Sequence, residues 1–160
     1  MTIKAGAKIP AASLKTMSAE GMQTITTDEL FKGKKVVLFA LPGAFTPTCS
    51  AKHLPSFVQL ADKIRAKGVD TIACLSVNDA FVMDAWGKSQ MVGDKVTMLA
   101  DGNGDFTKAV GLTMDGTGYG MGVRSQRYAM VVENGVVKTL NVEAPGAYEV
   151  SSAEAILKAL

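Results

Sequence analysis

Histidine occurs once in this chain of 160 residues, and cysteine only twice. A metal centre built from Cys and His would need all three, at positions 49, 53 and 74, and they form no ligand-pair motif. Two cysteines are also too few for the disulfide framework of a small secreted domain. Strong charge of one sign is missing: 17 Lys and Arg against 15 Asp and Glu leave a net charge of +2. No run of five basic residues occurs, so nucleic acid is not an expected partner. No apolar stretch approaches the length of a membrane span. Residues 1–10 lack the apolar core of a signal peptide and the Arg and Ser enrichment of a transit peptide. A reducing cytoplasm is the simplest home consistent with these absences. Nor is there a repeat, linker or low-complexity tract, and residues 1–160 read as one domain. At this length roughly 70% of the unfolded surface can be buried, so a core forms without staples.

What is present is a regular alternation of short elements. Residues 13–26 alternate loosely around Glu20-Gly21, as in a small hairpin. Thr26-Thr27-Asp28-Glu29 reads as a capping box for one turn of helix. Residues 35–41 are apolar throughout their centre, the pattern of a strand buried on both faces. A helix is expected from Thr46 to about Lys67, with Gly68 after its end and a kink at Pro55. Residues 69–77 and 95–100 read as further strands. Between them Asn78 or Asp79 caps a helix with Phe81, Val82, Ala85 and Trp86 inward. Asp105 is the expected cap of a short helix ending near Gly111. Residues 115–122 read as a flexible glycine-rich loop. Asn134-Gly135 marks a hairpin between residues 127–133 and 136–142. Ser151-Ser152-Ala153-Glu154 reads as a capping box for a last helix. The order predicts an α/β protein of thioredoxin-like architecture: a central mixed sheet flanked by helices, with an N-terminal hairpin.

The segment Leu41-Pro42-Gly43-Ala44-Phe45-Thr46-Pro47-Thr48-Cys49 carries the chemistry. Thr46 suits a helix N-cap, its hydroxyl accepting from a first-turn amide, and Pro47 suits the first helical position. Cys49 then falls at about the third helical residue, near free amides and the positive end of the helix dipole. Such a place favours thiolate, the reactive form of cysteine. A thioredoxin-like fold carries its Cys-x-x-Cys at the end of the first central strand. Here that place holds Thr46-x-x-Cys49.

These residues resemble the peroxiredoxins, and within them the type II (peroxiredoxin-5-like) subfamily. Pro42, Thr46 and Cys49 match the family's Pro-x-x-x-Thr-x-x-Cys. His53-Leu54-Pro55, Ser76-Val77-Asn78-Asp79, Ala85-Trp86, Asp101-Gly102-Asn103-Gly104, Arg124-Ser125 and Arg127-Tyr128 extend the likeness over nearly the whole chain. The resemblance implies a thiol-dependent peroxidase acting on hydrogen peroxide and alkyl hydroperoxides through a Cys49 sulfenic acid, with no metal, haem or flavin. It implies that Thr46 accepts from the thiolate region and donates to the peroxide through its hydroxyl, that Arg127 supplies a fixed positive charge, and that Pro42 shields the pocket from water. It also implies a homodimer packed through loops near the site.

Several residues keep two readings. Arg127 alone could be a strand-surface ion-pair residue, and Arg124, three residues away, could substitute for it. His53, one turn beyond Cys49, is more often structural than a base. Phe45, Trp86 and Phe81 read as core, pocket wall or dimer surface. Cys74 lies in an apolar strand and reads by default as a buried, poorly reactive thiol. In plant-like members of the subfamily a cysteine at this place has been proposed as the resolving residue. Residues 147–151, where other members carry one, have none. An external reductant, glutathione with glutaredoxin or thioredoxin, is therefore expected. The rival functions are a thiol–disulfide carrier, weakened by threonine at position 46, and a redox-dependent chaperone or signalling partner.

Overall fold

The computed structural model describes residues 2–160. A seven-stranded sheet runs in the order β2-β1-β5-β4-β3-β8-β9. The hairpin of β1 (Ser13–Ser18) and β2 (Gly21–Thr26) precedes α1 (Thr27–Phe31), which opens with the predicted capping box between Thr26 and Glu29. β3 (Lys35–Ala40) pairs in parallel with β4 (Thr71–Ser76), and β4 with β5 (Thr97–Ala100). The hairpin of β8 (Tyr128–Glu133) and β9 (Val136–Val142) adds antiparallel to β3. Asn134 and Gly135 both have positive φ, as the primed turn that matches strand twist requires.

The alternation of β3 side chains divides the core in two. Val37, Phe39 and Leu41 pack with α2 (Leu54–Arg65), α3 (Ala80–Ser89) and α5 (Ala153–Ala159). Val36, Leu38 and Ala40 pack with α1 and α4 (Asp105–Val110) on the opposite face. Phe57 of α2 stacks on Phe39 with nearly parallel rings, 3.9 Å between centroids. Both cysteines lie in the core on the α2, α3 and α5 side. Among the described residues no helix is long and apolar enough to cross a membrane.

Five local expectations are corrected. The inward face of α3 is Ala80, Met83, Trp86 and Gly87, while Phe81 is 64% exposed and Ala85 is exposed. Gly87 lets the helix approach β5 so closely that a Cβ there would lie 2.9 Å from Met98. The cap of α4 is supplied by the buried Asp101 carboxylate, which accepts from the amides of Phe106 and Thr107, and not by Asp105. Residues 115–122 are no plain loop: β6 (Thr113–Asp115) and β7 (Val123–Ser125) form a small hairpin closed by a 3₁₀ turn at Thr117–Tyr119. α5 is capped by Ser152, whose hydroxyl oxygen accepts from the Ala155 amide, which leaves Ser151 for another contact. The disturbance expected at Pro55 appears one turn earlier, as a π turn over Cys49–His53. Proline has no N–H to give the turn before it, and a widened turn there accommodates the missing bond.

Candidate active site

The site forms where β3 ends. Leu41 closes the strand, its carbonyl accepting from the Ser76 hydroxyl, and Pro42-Gly43 turn the chain. The Ala44 amide donates to the Asn78 side chain at 3.0 Å, which ties the turn to the end of β4. Phe45 has φ +62°, a left-handed conformation rare for a bulky residue, and its ring is 57% exposed. Helical structure begins at Pro47, so Cys49 is the third helical residue, as the motif predicts. The amides of Thr48 and Cys49 have no carbonyl four residues back within the helix.

Thr46 departs from its expected role as a cap. Its hydroxyl donates to the Gly43 carbonyl at 2.6 Å instead of accepting from a first-turn amide. The Thr46 carbonyl makes the first helical bond, from the Ser50 amide. With its hydrogen engaged on Gly43, the hydroxyl does not donate into the pocket as expected, and it keeps its lone pairs for a donor there.

Cys49 is only 1% exposed, and its sulfur accepts from Arg127 Nη2 at 3.1 Å. Arg124 does not share this contact. Its Nη1 donates to the Pro42 carbonyl at 3.2 Å and its Nε to the Met121 carbonyl at 3.0 Å. Arg124 thus braces the turn that covers the site. A Cβ on Gly43 would lie 2.7 Å from that same Nη1, so a side chain there would push the brace aside.

The second nitrogen of the Arg127 fork, Nη1, lies 2.9 Å from His53 Nδ1. A guanidinium is protonated at any ordinary pH and can only donate, so Nδ1 must be the unprotonated ring nitrogen. The ring hydrogen then sits on Nε2, 2.9 Å from the Ser151 carbonyl that accepts it. Both ring nitrogens are engaged, and burial together with the Arg127 charge pulls the His53 pKa down to about 3. His53 is therefore a neutral structural group holding Arg127, the reading favoured from sequence over that of a base. The Tyr148 ring covers this pair, 6.0 Å from the Arg127 guanidinium carbon and edge-on to His53 at 5.4 Å.

Trp86 is fully buried behind the Cys49 helix, with its Nε1 donating to the Ser50 hydroxyl at 3.0 Å. Phe45 lies across from it, with centroids 6.5 Å apart. Cys74 sits within β4, opposite Phe39 and Met98, and is fully buried. Burial pushes its thiol well above the usual range, the neighbouring Cys49 adds to this, and Arg127 opposes it. Both cysteines are free thiols. Among the described residues no three His, Cys, Asp or Glu side chains converge as metal ligands.

The neutral His53 makes stability depend on pH. Its pKa falls from 6.5 in the unfolded chain to about 3 in the folded one. Between these values the unfolded state binds more protons, so stability rises with pH across that window. The contribution is complete above pH 6.5 and is lost as pH falls toward 3, on the order of 5 kcal/mol in all. Urea melts at pH 7 and pH 4.5 should differ by more in the parent chain than in His53→Gln, which has no titrating ring. Equal pH dependence in the two chains would refute this source of acid sensitivity.

Sequence reasoning missed Ser151, Glu143, Tyr148 and Asn78. Each reaches the site from a distant segment; Asn78 and Ser151 read from sequence only as helix caps, and Glu143 and Tyr148 belong to no local pattern.

A family model described as Redoxin matches residues 4–157. Peroxiredoxin-2E, chloroplastic, from Arabidopsis thaliana is 52% identical over 163 residues, spanning 99% of this chain and 70% of that protein. Peroxiredoxin-2E-2, chloroplastic, from Oryza sativa subsp. japonica is 55% identical over 164 residues, 99% of this chain and 73% of its own length. The crystal structure of reduced Prx3 in complex with hydrogen peroxide from Vibrio vulnificus superposes with a TM-score of 0.96 at 59% identity, covering 99% of each chain.

Proposed function

Because the chain belongs to the redoxin family as a type II peroxiredoxin, a thiol-dependent peroxidase, we propose that Cys49 is the thiol that meets the peroxide. The observation that carries this reading is the Arg127 guanidinium on its sulfur at 3.1 Å. A fixed cation there favours the thiolate and faces the charge that develops as the O–O bond breaks. The thiolate attacks one peroxide oxygen. An S–O bond forms, the O–O bond breaks, and the leaving oxygen takes a proton to become water or an alcohol. Cys49 is left as sulfenic acid. The lone pairs of the Thr46 hydroxyl and the free amides of the first helical turn suit the peroxide hydrogen and oxygens. Pro42, held by Arg124, screens the pocket from water.

No metal, haem or flavin enters these steps. An external thiol returns the sulfur to its starting state: it attacks the sulfenic sulfur, releases water, and the mixed disulfide is opened by a second thiol. Glutathione with glutaredoxin, or thioredoxin, fits this role, because Cys74 is buried and its thiol pKa is raised. A reducing compartment, the cytoplasm in the simplest case, keeps such a cycle supplied. Phe45, exposed beside the site, and Phe81, exposed on α3, suit the surface of a homodimer.

Intact-mass analysis after one equivalent of hydrogen peroxide, with dimedone as a trap, tests the cycle. The expected product is one dimedone adduct on Cys49, the mark of a sulfenic acid awaiting an external thiol. Loss of two hydrogens with no adduct would mean an internal disulfide with Cys74. An unchanged mass would remove Cys49 from the reaction.

A further inference from the structure

Arg127 can stabilise a thiolate only if its fork is aimed, and one arm of that fork is held by a neutral histidine. The chain of contacts does not end at His53. The Ser151 carbonyl that receives the His53 Nε2 hydrogen belongs to a residue tied at two other points. The Ser151 amide donates to Glu143 Oε2 at 2.8 Å, and the Ser151 hydroxyl to the same oxygen at 2.6 Å. The amides of Glu149 and Val150 also donate to this carboxylate, each at 2.9 Å. Glu143 is buried, and its backbone amide donates to the Arg127 carbonyl at 3.0 Å. Burial raises the carboxyl pKa, but these donors outweigh it and leave the group below the usual range, hence charged.

We propose that Glu143 is a positioning residue for Arg127: by clamping residues 149–151 it fixes the Ser151 carbonyl, which holds His53 with Nδ1 toward one arm of the guanidinium and leaves the other arm for the Cys49 sulfur. This rests on the reading of Cys49 as the attacking thiol. A carboxylate suits the task because it accepts at both oxygens and donates nothing. Four donors converge on it, so the strap has one arrangement. Glutamine at this place would turn an amide group toward donors and release the strap. No direct contact links Glu143 to the sulfur, so its whole influence runs through His53 and Arg127.

Three features separate this from a merely structural clamp. Glu143→Gln should slow the reaction of Cys49 with hydrogen peroxide roughly tenfold, with the far-ultraviolet circular dichroism spectrum unchanged. His53→Leu should slow it by a similar factor, and the double variant should be no slower than the slower single one, because both act on one group. His53→Gln should regain most of what His53→Leu loses, since its amide oxygen can accept from Arg127 while its nitrogen donates to Ser151. Ser151→Ala, which removes one donor of four and keeps the backbone contacts, guards against misfolding of the Glu143 variant and should lose roughly threefold. Multiplying effects in the double variant, or the parent rate in both Glu143→Gln and Ser151→Ala, would overturn the proposal. Alkylation of Cys49 by iodoacetamide, run in parallel, needs the thiolate but no peroxide. A parent chain fast with iodoacetamide and inert to peroxide would sink the peroxidase reading alone. Alkylation as fast in Glu143→Gln as in the parent would sink the positioning role alone.

Discussion

Cys49→Ser should consume hydrogen peroxide no faster than the reductant mixture without protein, a loss of at least about 10³-fold. A serine hydroxyl is un-ionised near neutral pH, and its oxygen cannot take the place of sulfur in a sulfenic acid. The surroundings cannot compensate, because Arg127 and the first-turn amides are donors with no electron pair to attack the O–O bond, and Thr46 offers only another un-ionised hydroxyl. Cys74→Ser is the informative companion. Cys74 is fully buried and its thiol pKa is pushed up, so it is a poor source of thiolate. With glutathione and glutaredoxin supplied, this variant should keep most of the parent activity. Peroxide consumption followed by a ferrous-iron colour assay reads both variants. Full activity in Cys49→Ser would end the assignment.

The next largest loss is expected at Arg127. Arg127→Gln should slow peroxide reduction by about 10²–10³-fold, the effect of removing one preorganised charged donor from a site of this kind. Two functions are lost together, because the fork reaches the Cys49 sulfur and His53 at once. Arg127→Lys should recover little, since a single ammonium on a flexible stem cannot span two acceptors in fixed geometry. Stopped-flow peroxide consumption at constant reductant measures the loss, and circular dichroism confirms that the sheet is retained. A Lys variant at the parent rate would show that charge alone suffices and that the fork is irrelevant.

How much of this was legible depended on how local each feature is. Cys49 and its helix start follow from neighbours in sequence, and the structure keeps Pro47 and Cys49 where the motif puts them. The central strands follow from their apolar pattern, because strands buried on both faces leave continuous runs, whereas their order in the sheet, with the N-terminal hairpin beside β5, does not. Arg127 could be separated from Arg124 only through the family resemblance, since three residues of spacing on a strand edge do not say which side chain turns inward. The α3 stripe was misread for a physical reason. Phe81 looks like core by size, whereas the buried position is Gly87, whose missing side chain leaves room for Met98. Thr46 was misread because a hydroxyl can donate as well as accept, and the Gly43 carbonyl that turns back toward it is not a sequence feature. Glu143 left no local sign at all, because a carboxylate after a surface strand is ordinarily solvated, and Ser151 looked like a helix cap, a role that Ser152 takes instead.

The long spacing of these contacts bears on how the protein is made. The bond from Arg127 to Cys49 joins residues 78 positions apart, and that from His53 to Ser151 joins residues 98 apart. A ribosome exposes Cys49 early and Ser151 almost last. Until the β8–β9 hairpin docks on β3, the nascent cysteine has neither its cation nor the brace that aims it, and such distant pairings form late. On the proposed role of Cys49, the emerging chain therefore lacks the contacts that would aim a cation at this sulfur until synthesis is nearly complete. Dividing one small site between the first third of the chain and its last quarter shields the unfinished protein from the reaction it is built to perform.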